Sequence, residues 1–325
     1  MKHLKIASAL VCLGCSCAVM EAAIAQPGYP TRPIRLVVPS SPGGGTDITA
    51  RVIAPKLSEL LGQQVVIENR SGAGTMIGSE VVARSPPDGY TLLMGISTLA
   101  INPAMYKKVP YDALRDFAPI SQVVSLPNIL VAHPSVPVRT VRELIAFGKS
   151  RPRQLNYASA GMGTSPHLSM ELFLIMTGLQ MVHIPYKGSG QGVVDVLAGH
   201  VSLMTPSILT GLPYTKTGRL RGLGVTGAKR AIGAPDVPTI AEAGVPGYEA
   251  TQWFGVLAPA RTPAEIITRL HKEVVAALNA PEIKEKLVSD GADPIGSTPA
   301  EFHAYIRAET EKWAKVVKQA KITPE

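Results

Sequence analysis

The chain has 325 residues, 46% of them hydrophobic, with 32 Lys and Arg against 24 Asp and Glu and a sequence pI ≈ 9.4. Its basic residues are scattered and its aromatics make up only 5%, which excludes the basic stripe with stacking rings that nucleic-acid binding requires. Cys12, Cys15 and Cys17 are its only cysteines, so beyond the N-terminus there is no disulfide scaffold, thiolate metal site or cysteine nucleophile.

Residues 1–25 read as a signal peptide. Lys2 and Lys5 form a charged start, Ile6 to Met20 an apolar stretch, and Ala23-Ile24-Ala25 a small-residue cleavage site. Cleavage after Ala25 is expected, with export to the periplasm. Lipidation at Cys15, in Leu13-Gly14-Cys15, is the alternative. Removal of the leader leaves 30 basic and 23 acidic residues, a balance suited to acidic solutes. No later run reaches the roughly 18–20 apolar residues of a membrane span.

Strand-like runs then alternate with helical patterns. Ile34–Val38 leads into a helix from about Thr46 to Leu61, with Ile48, Val52, Ile53, Leu57, Leu60 and Leu61 at helical spacing. Val65–Glu68 precedes a Gly-rich turn and a helix from about Met76 to Ala83. Thr91–Gly95, Ser121–Val124 and Ile129–Ala132 follow, the last two separated by Pro127. Leu155–Ala158 precedes the helix Pro166–Thr177, and Val182–Pro185 the helix Gly190–Ala198. Val201–Met204, Leu220–Val225 and Phe254–Leu257 complete the strands. Thr140/Glu143, Thr262/Glu265 and Thr298/Glu301 have the spacing of capping boxes. The last two open C-terminal helices that break the alternation and could wrap back onto the first half.

Alternation of this kind implies mostly parallel sheets flanked by helices. The expected fold is α/β with two lobes and two crossings. Residues 26–126 and 250–325 form lobe 1, and residues 127–249 form lobe 2.

Two turns carry the strongest functional signal. Ser40-Ser41-Pro42-Gly43-Gly44-Gly45-Thr46-Asp47 joins a strand to a helix through three glycines. A helix start presents unpaired N–H groups and the positive end of its dipole, which together receive anions. Asp47 is expected to orient this turn rather than face an anion. Ser159-Ala160-Gly161-Met162-Gly163-Thr164-Ser165-Pro166-His167 repeats the design in the other half. Ser71–Gly78 approaches a dinucleotide fingerprint but lacks the acidic residue that should follow. Close helix–sheet packing is the preferred reading of it. Tyr186-Lys187-Gly188 either receives the far end of an anion or shapes a rim. The six histidines beyond the leader show no metal spacing, and no G-x-S-x-G elbow exists. No metal, no cofactor and no catalytic residue is expected. His167 reads as a turn or rim residue.

Pro-Ser-Ser-Pro-Gly-Gly-Gly-Thr-Asp (39–47), Glu-Asn-Arg-Ser-Gly-Ala-Gly (68–74), Pro-Asp-Gly-Tyr-Thr-Leu-Leu (87–93), Ser-Ala-Gly-Met-Gly-Thr-Ser-Pro-His (159–167) and Pro-Tyr-Lys-Gly (185–188) together resemble the Bug receptors. Residues 235–244 and 253–259 add to the match. These receptors are the TctC-like periplasmic solute-binding proteins of tripartite tricarboxylate transporters. The resemblance spans the chain beyond the leader. It implies a two-lobe Venus-flytrap fold, with a ligand carboxylate held between the turns at 40–47 and 159–165. It also implies that Ser97-Thr98 and the stretch after Met204 approach the far end. Thr205-Pro206 stands where such receptors often carry Phe-Asp, which implies a less acidic distal pocket at Pro206.

The expectation is a monomeric receptor for a small aliphatic or aromatic carboxylate, serving tripartite-transporter membrane subunits and performing no chemistry. The rivals are an exported hydrolase or transferase on a similar fold, and a module that presents its ligand-bound form to a membrane sensor.

Overall fold

The computed structural model describes residues 28–319. The leader, its cleavage site and Cys15 lie outside the described residues.

Eleven strands and ten helices are described. They run β1 (Ile34–Val38), α1 (Gly45–Leu61), β2 (Val65–Asn69), α2 (Met76–Ala83), β3 (Thr91–Ile96), α3 (Thr98–Met105), β4 (Phe117–Pro127), β5 (Ile129–Ala132), α4 (Val141–Ser150), β6 (Asn156–Ser159) and α5 (Ser165–Thr177). Then come β7 (Val182–Pro185), α6 (Ser189–Leu197), β8 (Leu203–Met204), α7 (Ile208–Lys216), β9 (Arg221–Val225), β10 (Thr251–Pro259), α8 (Ala264–Asn279), α9 (Pro281–Ser289), β11 (Asp293–Pro294) and α10 (Pro299–Gln319). One sheet has the order β11-β4-β10-β3-β1-β2, the other β7-β6-β8-β5-β9.

The expected two-lobe α/β architecture is present, but its sheets are mixed rather than mostly parallel. β1 pairs in parallel with β2 and β3, and β6 with β7 and β8. β10 is antiparallel to both β3 and β4, and β5 to both β8 and β9. The cause is the crossing chain. It leaves the first sheet at Pro127, enters the second at Ile129, and returns between Val225 and Thr251 as a neighbour of opposite direction.

Hydrophobic periodicity explains the burial. On α1, Ile53, Leu57 and Leu61 are buried, with Ile48, Val52 and Leu60 packed alongside. α3, α7 and α9 have no counterpart in the sequence pattern. α3 is nearly apolar and α3 and α7 each contain a proline, Pro103 and Pro213, so neither shows a polar face or a clean helical period. α8 and α10 pack on the first lobe, where Phe302 and Tyr305 meet the buried Trp253 ring edge-to-face at 5.3 and 6.2 Å.

One of the three capping boxes forms fully and one by half, the Glu143 carboxylate accepting from Arg139 N instead of Thr140 N. Thr140 Oγ1 accepts the Glu143 N–H, and Thr298 and Glu301 exchange both bonds. The third does not. Thr262 turns its hydroxyl to Pro259 O at 2.7 Å, and Pro263 caps α8 instead.

Candidate functional site

β1 delivers the chain into Pro39–Gly44 with its core side chains anchored at 0–1% exposure. Gly44 caps α1 in extended backbone and no side chain caps the helix. Asp47 instead reaches back to accept the Gly43 N–H at 2.9 Å. Arg51 Nε and Asn69 Nδ2 donate to the same carboxylate at 2.9 and 3.0 Å. Burial opposes its charge, but these donors and the Arg51 guanidinium outweigh burial and hold the carboxyl below the usual range. Asp47 thus fixes the turn from behind. The first-turn N–H groups of Gly45 and Thr46 have no acceptor within the helix.

Three further turns repeat this arrangement. The turn 70–75 ends in α2, with Ala73 and Thr75 at φ 46° and 76°, a costly region for residues bearing a Cβ. Thr98 Oγ1 secures Thr75 Oγ1 at 2.5 Å, and Asn102 Nδ2 donates to Gly74 O at 3.0 Å. In the second lobe, Thr164 caps α5 in extended backbone while its hydroxyl donates to Gly161 O at 2.6 Å. Finally Tyr186-Lys187-Gly188 leads into α6, again without a side-chain cap.

All four helix starts border one cavity of about 60 Å³ between the lobes. Its walls include Ser40, Gly44, Gly45, Thr46, Gly72–Thr75, Thr164, Tyr186–Ser189, Ser207, Gln252 and Phe254. No Asp, Glu or His is among the lining residues. Lys187 is the one cationic side chain there and pairs with no carboxylate among the described residues. Each helix start carries about half a positive charge. The hydroxyls of Ser40 and Ser207 are buried without a hydrogen-bond partner. Positive dipoles, spare N–H donors and unpaired hydroxyls give the cavity the chemistry that suits an anion.

The lobes are closed on each other. Gly188 lies against Ser41, and Gly190 against the backbone of Pro42 and Gly43. Tyr106 of the first lobe donates to Met162 O at 3.1 Å, and Thr210 Oγ1 of the second to Gly43 O at 3.4 Å.

Of the residues singled out from sequence, Ser40, Gly44, Gly45, Thr46, Thr164, Tyr186 and Lys187 line the cavity. Tyr186 donates its hydroxyl to Asp195 Oδ2 at 2.5 Å, so its phenol oxygen is already committed. Ser41, Asp47, Ser97, Thr98, Ser159, Gly161, Gly163, Ser165, His167 and Pro206 do not line it. Ser41 meets Gly188, Thr98 stands behind Thr75, and Ser165 accepts from Asn128 Nδ2 at 2.8 Å. Ser97 is buried with its hydroxyl unpaired. Gly163 packs near Met105 of the other lobe, while Gly161 lies near Tyr186 O. Pro206 accepts the Ile129 N–H at 2.9 Å, and its ring faces Gly211. The residue after Met204 that lines the cavity is Ser207. Gly45 leaves room for it, since a Cβ there would stand 2.6 Å from Ser207 Cβ.

The sequence pattern did not point to Gly72–Thr75, Ser207, Gln252 or Phe254 as cavity walls. The first of these reads in the sequence as a Gly-x-Gly packing turn before a helix, yet it walls the cavity. Gly78 does serve packing, since a Cβ there would lie 2.8 Å from Pro39 Cα.

The model of the tripartite tricarboxylate transporter family receptor, TctC, matches residues 49–322. This chain belongs to that family. Protein BugT of Bordetella pertussis is 39% identical over 302 residues, covering 92% of this chain and 93% of BugT. R. palustris Rpa4515, solved with adipate, is 42% identical with a TM-score of 0.89, covering 91% of this chain and 100% of that one. MatC of Rhodopseudomonas palustris, solved with bound malate, is 30% identical with a TM-score of 0.84, covering 89% and 100%. The structural neighbours have the two-lobe fold described above. Among the described residues of this chain, no helix is long and apolar enough to cross a membrane.

Proposed function

We propose that this protein is a periplasmic receptor that encloses a small organic carboxylate between its lobes and delivers it, unchanged, to the membrane subunits of a tripartite tricarboxylate-type transporter. The observation that carries this reading is the convergence of four helix N-termini on a cavity whose walls contain no carboxylate or imidazole. Anion binding needs donors and positive dipoles, which are present. Hydrolysis or group transfer needs a base beside a nucleophile, and Lys187, the one basic side chain in the wall, makes no hydrogen bond to a wall hydroxyl among the described residues.

The turns at 40–46 and 160–164 hold the carboxylate from opposite lobes. Ser207 and Lys187 extend the donor set, so a second carboxylate or a hydroxyl on the ligand finds a partner. An α-amino acid finds no anionic wall residue for its ammonium, which is costly in an enclosed site. The adipate and malate complexes of the two structural relatives support a ligand of this class.

The test is a calorimetric panel of adipate, malate, benzoate and glutamate, with NMR of each acid after prolonged incubation. Saturable binding of a carboxylate without its consumption is expected. Conversion of any acid, or tight binding of glutamate alone, would overturn the reading.

A further inference from the structure

Beside the 159–165 turn, three rings stack in a column that does not reach the cavity walls. Tyr157 of β6 and His183 of β7 lie 4.8 Å apart, 14° from parallel. His183 and His167 of α5 lie 4.4 Å apart at 23°. The titratable groups facing the two imidazoles are each other, Tyr157 from β6 and Glu171 from α5. The Tyr157 hydroxyl donates to Glu171 Oε1 in a short bond, and that oxygen lies 4.0 Å from His167 Nε2.

Both imidazoles act on the turn. His183 Nε2 stands 2.6 Å from Ser159 Oγ, which accepts the Gly161 N–H at 3.1 Å. His167 Nδ1 accepts the Gly163 N–H directly at 3.2 Å. Gly161 and Gly163 hold φ of 122° and 70°, so the turn has a shape that its external contacts must maintain. An Nδ1 that accepts a hydrogen bond carries no proton, which places the neutral ring's hydrogen on Nε2, toward Glu171. A second proton has only Nδ1 to occupy. There it would confront the Gly163 N–H, donor against donor.

We infer that His167 is a positioning residue of the anion site. Its bare Nδ1 holds Gly163 and with it the turn that opens α5, and proton uptake at that nitrogen releases the turn, so protonation of His167 and carboxylate binding oppose each other. The inference rests on the receptor reading for its functional half. Its structural half stands on the column alone. Burial holds both imidazoles down to about 4, so the grip persists through neutral pH and is lost in acid. The consequence is a receptor that weakens its hold on the anion as its surroundings acidify.

The test has two arms. In the first, ¹⁵N NMR follows the ligand-free protein from pH 7 downward. The expected result is an unprotonated His167 Nδ1 at pH 7 and a Gly163 amide signal that moves with the His167 titration. An Nδ1–H tautomer, or a Gly163 amide indifferent to that titration, would overturn the inference. In the second arm, calorimetry with adipate compares the native protein with His167→Leu and His167→Asn. His167→Leu is expected to lose about tenfold in affinity at pH 7, the worth of roughly one hydrogen bond. His167→Asn returns an acceptor oxygen near the place of Nδ1 and should restore most of that loss. Having nothing to titrate, it should also show a flatter decline in acid than the native protein. Protonation of adipate itself is common to all three proteins and cancels in the comparison. Equal acid profiles, or native affinity that rises on acidification relative to His167→Asn, would overturn the inference. The first arm decides even if adipate does not bind, an outcome that bears on the receptor reading alone.

Discussion

Asn128 and Thr226 bind each other across the two segments that join the lobes. The Asn128 N–H donates to Thr226 Oγ1 at 2.7 Å, and the Thr226 N–H returns a bond to Asn128 O at 2.9 Å. Thr226 also donates its hydroxyl to Ala250 O at 2.5 Å. The Asn128 amide donates to Ser165 and Ser169 at 2.8 and 2.7 Å and accepts from Gln252. One buried residue therefore joins both crossings, its backbone holding Thr226 while its side chain reaches the start of α5 and Gln252 in the cavity wall.

Asn128→Ala keeps the two backbone bonds to Thr226 but removes the side-chain bonds, stranding the buried polar groups of Ser165, Ser169 and Gln252. Each unpaired group costs about 1–3 kcal/mol. A loss of stability on the order of 3 kcal/mol is expected in urea unfolding. A change below about 0.5 kcal/mol, the size of an ordinary surface substitution, would show that the junction contributes little.

Gly188→Ala tests closure. A Cβ there would stand 2.7 Å from Ser41 N and 2.9 Å from Ser41 Cβ, across the lobe interface. Gly188 holds φ 151°, so the added Cβ also strains the backbone and some loss of stability is expected, but the closed form loses more because the clash with Ser41 exists only there. Solution scattering should give a larger radius of gyration at saturating adipate, with affinity down by tenfold or more, about 1.4 kcal/mol. A variant that closes normally would refute this account.

Thr46→Ala and Thr164→Ala should differ in kind. Thr46 lines the cavity and its hydroxyl makes no hydrogen bond among the described residues. Its loss removes a donor to a charged ligand, worth about 1.5–3 kcal/mol of binding, with no loss of stability. Thr164 already donates to Gly161 O, so its removal should lower both stability and affinity. Calorimetry paired with thermal melts separates the two patterns. Ser207→Ala should follow Thr46→Ala, with stability level or higher, because the Ser207 hydroxyl is buried and unpaired in the absence of ligand.

Stability should fall in acid with a definite sign. His167 titrates near 4 in the folded protein against about 6.5 when unfolded. Between these values the unfolded chain binds more protons, so stability is lost as pH falls from about 6.5 to about 4. For this buried ring the loss is on the order of 3 kcal/mol. Asp47, held below its usual range, adds a further loss as pH falls through its folded value. Urea midpoints measured from pH 7 to 4 check the histidine part, with His167→Asn expected to show the shallower slope, and their continuation below pH 4 checks Asp47.

The alternation of strands and helices was legible because each turn between them carries its own punctuation. Val182–Pro185 and Met76–Ala83 fall where periodicity and glycine spacing put them. α3 and α7 were not legible, since the runs of consecutive buried residues Thr98–Asn102 and Ile208–Leu212 carry no amphipathic period and Pro103 and Pro213 argue against helix. At the site, glycine turns announced the cradle at Gly44–Thr46. The chain alone does not show that Ser207 faces Gly45, because only the closed lobes bring α1 and α7 together. Pro206 drew attention by its departure from the family pattern, yet its neighbour Ser207 lines the cavity. His167 was legible as a turn residue, but its bond to Gly163 and its stack with His183 of β7, sixteen residues downstream, appear only in the fold.

The place of β10 has a consequence for how the protein is made. It fills the gap between β3 and β4, pairing Phe254 with Ile96 on one side and Thr251 with Pro127 on the other. Every residue of β3 is buried in the finished lobe. From the synthesis of Ile96 until that of Pro259, about ten to thirty seconds at ordinary elongation rates, this apolar strand waits with an open edge while the whole second lobe is produced. An unpaired apolar edge is a template for association with other chains. Truncation anywhere before β10 therefore yields a sticky nascent product rather than a working half, and the burden of keeping it apart falls on whatever holds the chain during its synthesis.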